Sequence, residues 1–410
     1  MLYYNASMKK HILIISAVFP PEQVTSALMT YDIVRELAMK YTVTVLRPRP
    51  TRPIGAHFEN TELIGEPFET VMVDSFTCPE SRLVGRMKES ISFSKQCVKY
   101  IKAHKDEIDF IYNGAWQLFG VYMVANAAVK YGIPYLITVQ DIYPESLITG
   151  HHYPKIIEKC VKSFFFSMDK YYTSHAVKVR TISEEMADYM SQTRHLPRNH
   201  YAVMNNWQND EDFNNLPKKE LAKDCFVFTY VGSINVHANV ELIIKAFHKA
   251  KLKNAELHIY GGGNRKEHCK TLVEELSEKN VLFGQVSREE VPAIQARADV
   301  AVLALPKGNG GICLPSKITS YMLSGKPILA SIDKGSTTER YILDAQCGIV
   351  VEPDNLDALS EGFRAFTEMG RESLEQMSKN SRQFADANLT RKANLPKVIE
   401  IIESAVSLQQ

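Results

Sequence analysis

Four short stretches place reactive side chains where an α/β chain presents its ligands. In VQDIYPES, Asp141 and Glu145 stand behind the strand-like run PYLITVQD, with Gln140 beside them. Two carboxylates in such a place can take a proton or orient a hydroxyl. The bland alternative for Asp141 is a helix cap, and for Glu145, beside Pro144, a structural role carries at least equal weight. In GGICLPSKITSYMLSGKPILA, two glycines lead into Pro315, Ser316 and Lys317 at the head of an amphipathic run. The first turn of a helix offers unpaired N–H groups and the positive end of its dipole. Ser316 and Lys317 would add a hydroxyl and a full charge, which makes a grip for an anion. The competing reading has Pro315 at the first helical position and the Ser-Lys pair merely solvated.

YVGSIN sets Gly232, Ser233 and Asn235 just past a strand, and IYGGGNRK sets Gly261, Gly262 and Gly263 in the same kind of place. Glycine there lets backbone approach a ligand closely, or simply closes a tight turn. One such turn is weak evidence. Several on one sheet edge, together with LPSK, describe a cradle for a phosphorylated, nucleotide-like ligand. A carboxylate pair of metal-binding spacing, Asp210 and Asp212, falls in a polar stretch and reads as solvated linker. The twelve histidines show no HxxxH or HxH spacing, so no metal site is expected. His151-His152 could line an acceptor or sit in an exposed loop.

The elements that must position these residues alternate strand and helix throughout, the signature of parallel α/β sheets. HILIISAVF, YTVTVLRP, FETVMVD, DFIYNGA, PYLITVQD and KVRTIS form one series; FVFTYVGS, AELHIYGGG, NVLFGQVS, DVAVLALP, KPILASI and CGIVVEP form a second. Two Rossmann-like domains facing across a cleft are expected: residues 1–205, then a linker at 206–224, then 225–389. Residues 390–410 form a helical segment that packs back on the first domain. Ligands of such sheets lie at the carboxyl ends of the strands, where the residues above are found. No GxGxxG follows any strand, which removes the main support for a dinucleotide-dependent oxidoreductase.

Bulk properties bound the function classes. The 410 residues are 45% hydrophobic and 23% charged with a net charge of +1, which argues against a nucleic-acid binder. Residues 1–205 hold 23 Lys and Arg against 20 Asp and Glu; the remainder holds 25 against 27. The more basic half is thus free to face an acidic surface. Seven scattered cysteines without CxxC spacing read as free thiols of a reducing compartment. The apolar run after Lys9 and Lys10 is short and ends in Pro20-Pro21, so it reads as a first buried strand. A cytoplasmic location is expected. Arg82–Lys105 and YPKIIEKCVKSFFFSMDKYY are both basic and amphipathic, and either could rest on an anionic bilayer or pack on the sheet.

The ordered set FPPE, VQDIYPES, TISEEM, YVGSIN, IYGGG, FGQVS, DVAVLALP, PSKITSYMLSGKPIL and CGIVVEP resembles the bacterial retaining glycosyltransferases of family 4. These have the GT-B fold, and the similarity is to a branch serving capsule and O-antigen assembly. It runs through roughly residues 10–370. It implies a nucleotide-diphosphate sugar, a UDP-sugar, held mainly by the second domain, and a saccharide or lipid-linked saccharide acceptor held by the first. It further implies transfer with retention, no metal or other cofactor, and contact with the cytoplasmic face of the inner membrane.

Carried over by position, Gly232 to Asn235 face the donor, Gly261 and Gly262 lie beside them, and Val286 holds the base. Leu314, Ser316 and Lys317 grip the diphosphate, and Glu339 reaches ribose or sugar. Asp141 and Lys317 become the catalytic residues, with Gln140 and Glu145 on the acceptor side. Three departures stand out. Ile312 and Ser320 occupy the places of the family's two glutamates, Gln140 that of its first-domain histidine, and no Arg/Lys pair follows YVGSIN. A UDP-sugar 2-epimerase-like isomerase, or a silent sugar-nucleotide-binding subunit, are the alternatives on the same fold.

Overall fold

Strands of β-branched and aromatic residues with almost no polar break need cover on both faces, which parallel sheets with flanking helices provide. In the computed structural model, described for residues 9–52, 58, 61–78, 83–116, 118–145, 155–217, 225–308 and 315–407, these strands form two parallel sheets. The first contains β1 (His11–Ser16), β2 (Thr42–Arg47), β3 (Glu69–Met72), β4 (Phe110–Gly114), β5 (Tyr135–Thr138), β6 (Lys178–Thr181) and β7 (Tyr201–Val203). Its spatial order is β3-β2-β1-β4-β5-β6-β7. The second contains β8 (Phe226–Val231), β9 (Ala255–Tyr260), β10 (Val281–Gly284), β11 (Val300–Ala304), β12 (Ile328–Ser331) and β13 (Gly348–Val351), in the order β10-β9-β8-β11-β12-β13. In each sheet the order reverses once, between β1 and β4 and between β8 and β11. Ligand crevices of open α/β sheets form at the carboxyl side of such reversals.

The chain divides into a first unit of residues 1–204 and 395–410 and a second of residues 205–394. In the first, Ile12 to Ile15 of β1 are fully buried, as are Val45 and Leu46 of β2 and Phe110 and Ile111 of β4. The helix Arg391–Ser407 ends in this unit. Lys10 Nζ donates to the Val406 carbonyl at 2.8 Å and Lys40 pairs with Glu403 at 2.9 Å. Val398, Ile402 and Val406 are buried.

In the second unit, Phe228, Phe247 and Phe363 meet edge to face at 4.7–6.3 Å, a packing mode favoured by the ring quadrupoles. The polar stretch read as linker is partly built into this unit. Phe213 is 3% exposed among Ile318, Leu323 and Leu389, and the Arg382 guanidinium donates to its carbonyl at 2.6 Å. Asp210 accepts from the Arg391 N–H at 3.2 Å and Asp212 from Asn209 at 2.8 Å. The Asp210/Asp212 pair thus serves a short 3-10 turn (Asp210–Phe213). Residues 218–224 of that stretch lie outside the described residues.

Cys78, Cys97, Cys269 and Cys347 are free. Burial pushes the Cys269 and Cys347 thiols up to about 12, so they stay protonated and inert. Among the described residues no helix is long and apolar enough to cross a membrane.

Candidate active site

The carboxyl edge of the second sheet brings YVGSIN, IYGGG and PSK together. β8 and β9 run in register to Val231 and Tyr260, and their loops continue the pairing. The Gly232 N–H donates to the Tyr260 carbonyl at 2.9 Å, Ile234 N–H to Gly262 at 2.8 Å, and Arg265 N–H to Ile234 at 3.1 Å. Such close backbone approach leaves no room for side chains. A Cβ on Gly261 would sit 2.0 Å from the Gly232 oxygen, and one on Gly263 2.2 Å from the Ile234 oxygen. Both glycines also have positive φ, 143° and 148°, which L-residues rarely adopt. Ser233 is exposed, and Asn235 closes an Asx turn by accepting from the His237 N–H at 3.0 Å.

Lys317 lies directly across Gly232. A Cβ there would meet the Lys317 Cε at 2.1 Å and its Nζ at 3.1 Å. The ammonium is 5.2 Å from the centre of the Tyr230 ring, within cation–π range. Tyr230 is fixed in turn, because its hydroxyl donates to the Ser233 carbonyl at 2.6 Å, and burial raises it far above the usual phenol range. The lysine is the second residue of the helix Ser316–Leu323, whose first turn has no side-chain cap. Ser316 is exposed, and Gln208 Nε2 donates to its carbonyl at 3.1 Å. The edge therefore combines a positive side chain, an exposed hydroxyl and an uncapped helix start. All three favour an anion.

Tyr321 of the same helix anchors this corner. β8 and β11 pair only through Phe228 and Thr229, so the strands part before Val231. The fully buried Tyr321 hydroxyl accepts from the Val231 N–H at 3.0 Å and lies 3.4 Å from the Val302 oxygen. Ser320 points elsewhere: it joins Gln295 and Ser324 in a buried hydrogen-bond cluster, with Ser320 Oγ and Ser324 Oγ 2.8 and 2.7 Å from Gln295 Oε1. Glu339 folds back on its own helix, accepting from the Gly335 N–H at 2.5 Å while its N–H donates to Ser336. Val286 is half-buried and packs against the core of the second unit. Leu314 and Ile312 lie outside the described residues.

In the first unit Gln140, Asp141 and Glu145 follow β5, as their sequence positions predict. Asp141 keeps an exposed surface, yet the protein mass around it raises its carboxyl above the ordinary aspartate range. Glu145 is fully committed. Both of its oxygens receive the Arg194 guanidinium, at 2.7 and 3.1 Å, and Tyr189 donates at 3.0 Å. Burial alone would raise Glu145, but the Arg194 hydrogen bond and charge outweigh it and hold the carboxyl below its usual range. Arg194 is itself fully buried and also donates to Asp169 at 2.6 Å and to the Tyr143 carbonyl at 2.6 Å. Glu145 thus ties its loop to the helix Glu184–Arg194. Sequence reading missed Arg194, 49 residues away, for which no local pattern exists. His151-His152 lie outside the described residues. No group of three or more His, Cys, Asp or Glu able to hold a metal occurs among the described residues.

Comparison with known proteins defines the class. Residues 27–211 match the model described as Glycosyltransferase Family 4, and residues 212–384 match Glycosyl transferases group 1. A probable glycosyltransferase of Pseudomonas aeruginosa, WbjE, is 24% identical over 253 residues, 59% of this chain and 62% of that protein. The chain thus aligns with less than two thirds of that relative's length.

Among solved structures, sucrose-phosphate synthase of Thermosynechococcus elongatus superposes with a TM-score of 0.72 at 15% identity, covering 98% of this chain and 100% of the other. A glycosyltransferase of Rickettsia africae gives 0.68 at 14%, covering 97% and 99%. Anabaena HepE, in complex with UDP and glucose, gives 0.68 at 14%, covering 98% and 99%. Both halves of the chain thus match glycosyltransferase models, and each of its units has the parallel sheet of the GT-B fold.

Proposed function

We propose that this protein transfers a sugar from a UDP-sugar to a saccharide or lipid-linked saccharide acceptor in bacterial surface polysaccharide synthesis. The observation that carries the reading is Lys317 lying across Gly232 at the uncapped start of the helix Ser316–Leu323. Breaking the bond from an anomeric carbon to a diphosphate loads negative charge onto the leaving group. Charges and dipoles fixed where that charge develops lower the barrier most. The helix dipole supplies about 0.3–2 kcal/mol, and the lysine adds a full charge. Lys317 thus takes the part a metal plays elsewhere. Transfer proceeds with retention, the leaving phosphate accepting the acceptor's proton, and Asp141 orients a substrate hydroxyl.

The UDP held by HepE supports uracil as the base. The exposed lysines 88, 95, 99 and 102 along the helix Leu83–Ala103 support peripheral contact with an anionic membrane face.

Calorimetric titration of UDP, GDP and ADP into wild type and Lys317→Ala tests the donor site. UDP should bind, and the variant should lose about 10- to 100-fold in affinity, the range for one charge-assisted contact. Equal binding by both proteins would remove the phosphate grip. UDP binding without turnover on any acceptor would instead favour a silent sugar-nucleotide-binding subunit, a reading in keeping with Ser320 being locked into the Gln295 cluster.

A further inference from the structure

The order reversal between β1 and β4 makes the carboxyl edge of the first sheet a second natural crevice, and four chain segments converge there. After β1, Glu22 is 2% exposed and accepts from the N–H groups of Phe19 at 3.2 Å and of Thr51 and Arg52 at 2.9 Å. β2 ends in Arg47, itself 3% exposed. After β4 comes Trp116. The helix Leu83–Ala103 contributes Arg86 and the 1%-exposed Glu89.

Two guanidiniums share the one indole: the carbons of Arg52 and Arg86 each lie 4.6 Å from the centre of the Trp116 ring. Glu89 binds both, at 3.2 Å and 2.8 Å, and also receives the Cys78 N–H at 3.2 Å.

Among the described residues the cluster is not balanced: Arg47, Arg52 and Arg86 bring three positive charges against the two of Glu22 and Glu89, and both carboxylates also accept backbone N–H groups that fix loops. Donors are left over. Arg47 Nε and one terminal nitrogen, Arg52 Nε and Trp116 Nε1 are buried with no hydrogen-bond partner. Arg47 donates only through its other terminal nitrogen, to the Thr61 carbonyl. Buried donors without acceptors are destabilising, and a buried cation more so. A structural ion-pair network would have been completed from within, as Arg194 is by Glu145 and Asp169.

We propose that this edge receives an oxyanion of the acceptor, a phosphate ester or a sugar carboxylate, on Arg86, Arg52 and Trp116. Forked guanidiniums match both groups, and the excess charge selects for an acidic acceptor. The assignment to an acceptor rests on the glycosyltransferase reading, in which the donor's diphosphate lies on Lys317. The presence of an anion site does not.

The chain contains two tryptophans, so Trp116 emission reports on the site without turnover or donor. The full-length protein is titrated with phosphate, pyrophosphate and glucuronate, each against sodium chloride of equal ionic strength. A saturable emission change is expected with at least one oxyanion, absent in Trp116→Phe and unaltered in Lys317→Ala. It should be at least ~10-fold weaker in Arg86→Gln, the loss expected for a charge-assisted contact. If that variant does not fold, Arg86→Lys, which keeps the charge and loses the fork, should be weakened in the same direction. A response to phosphates marks a phosphorylated acceptor, and one to glucuronate an acidic sugar.

No saturable response beyond chloride, or unchanged affinity in the folded arginine variant, overturns the site. Loss of the response in Lys317→Ala does so too, by placing the anion at the nucleotide edge. A response here with no UDP binding by calorimetry would sink the glycosyltransferase reading and leave the anion site standing.

Discussion

At the residue scale, one hydroxyl holds the carboxyl edge of the second sheet in shape. Tyr321 fills the gap left where β8 parts from β11, so Tyr321→Phe strands the Val231 N–H in a dry site. The expected cost is about 1–3 kcal/mol, read from urea unfolding, with weaker UDP binding because Val231 precedes Gly232. Sequence reading located Gly232, Gly261 and Lys317 because residues just past parallel strands share one edge. It could not tell which carboxylates there are free. Glu145 looks like a candidate acid in VQDIYPES, but its fate is decided by Arg194, while Glu339 places one oxygen on the Gly335 N–H before its own helix. Arg47, Arg52, Arg86 and Trp116 come from three separate stretches, and only the folded sheet order brings their neighbourhoods together.

At the element scale, strands and helices were legible because buried parallel strands are apolar runs and the helices between them carry a 3.6-residue pattern. What joins elements was less so. Arg194 ties the end of its helix to the loop after β5 and, through Asp169, to the helix Lys155–His175. Replacing it with leucine leaves two carboxylates uncompensated, an expected loss of about 3–5 kcal/mol in denaturant unfolding. The pair also sets part of the acid limb. Glu145 is held below its ordinary value in the folded state, so its stabilisation is complete above the usual glutamate range. It is lost as pH falls through the lowered value. Glu145→Gln should therefore be less stable than wild type near neutrality, and the difference should shrink on acidification. A constant difference across that range, followed by circular dichroism, would show the charge to be irrelevant.

At the scale of the whole molecule, the first unit is discontinuous and the second is not. Residues 395–407 complete the first unit after the chain has built the whole of the second. A chain ending at Asn394 should lose stability in the first unit, since each buried side chain removed, Val398, Ile402 and Val406, contributes about 1.5–3 kcal/mol. The second unit should keep its UDP affinity. A truncated protein with wild-type unfolding of the first unit would show the helix end to be dispensable. The same division has a consequence during synthesis. The ribosome releases residues 205–394 as one unbroken stretch, so the second unit can close while the first still lacks residues 395–407. Until the last turns emerge, the seven-stranded half waits with the flank beside Lys10 and Lys40 bare, and a nascent-chain chaperone that shields apolar surface would find its longest-lived target there.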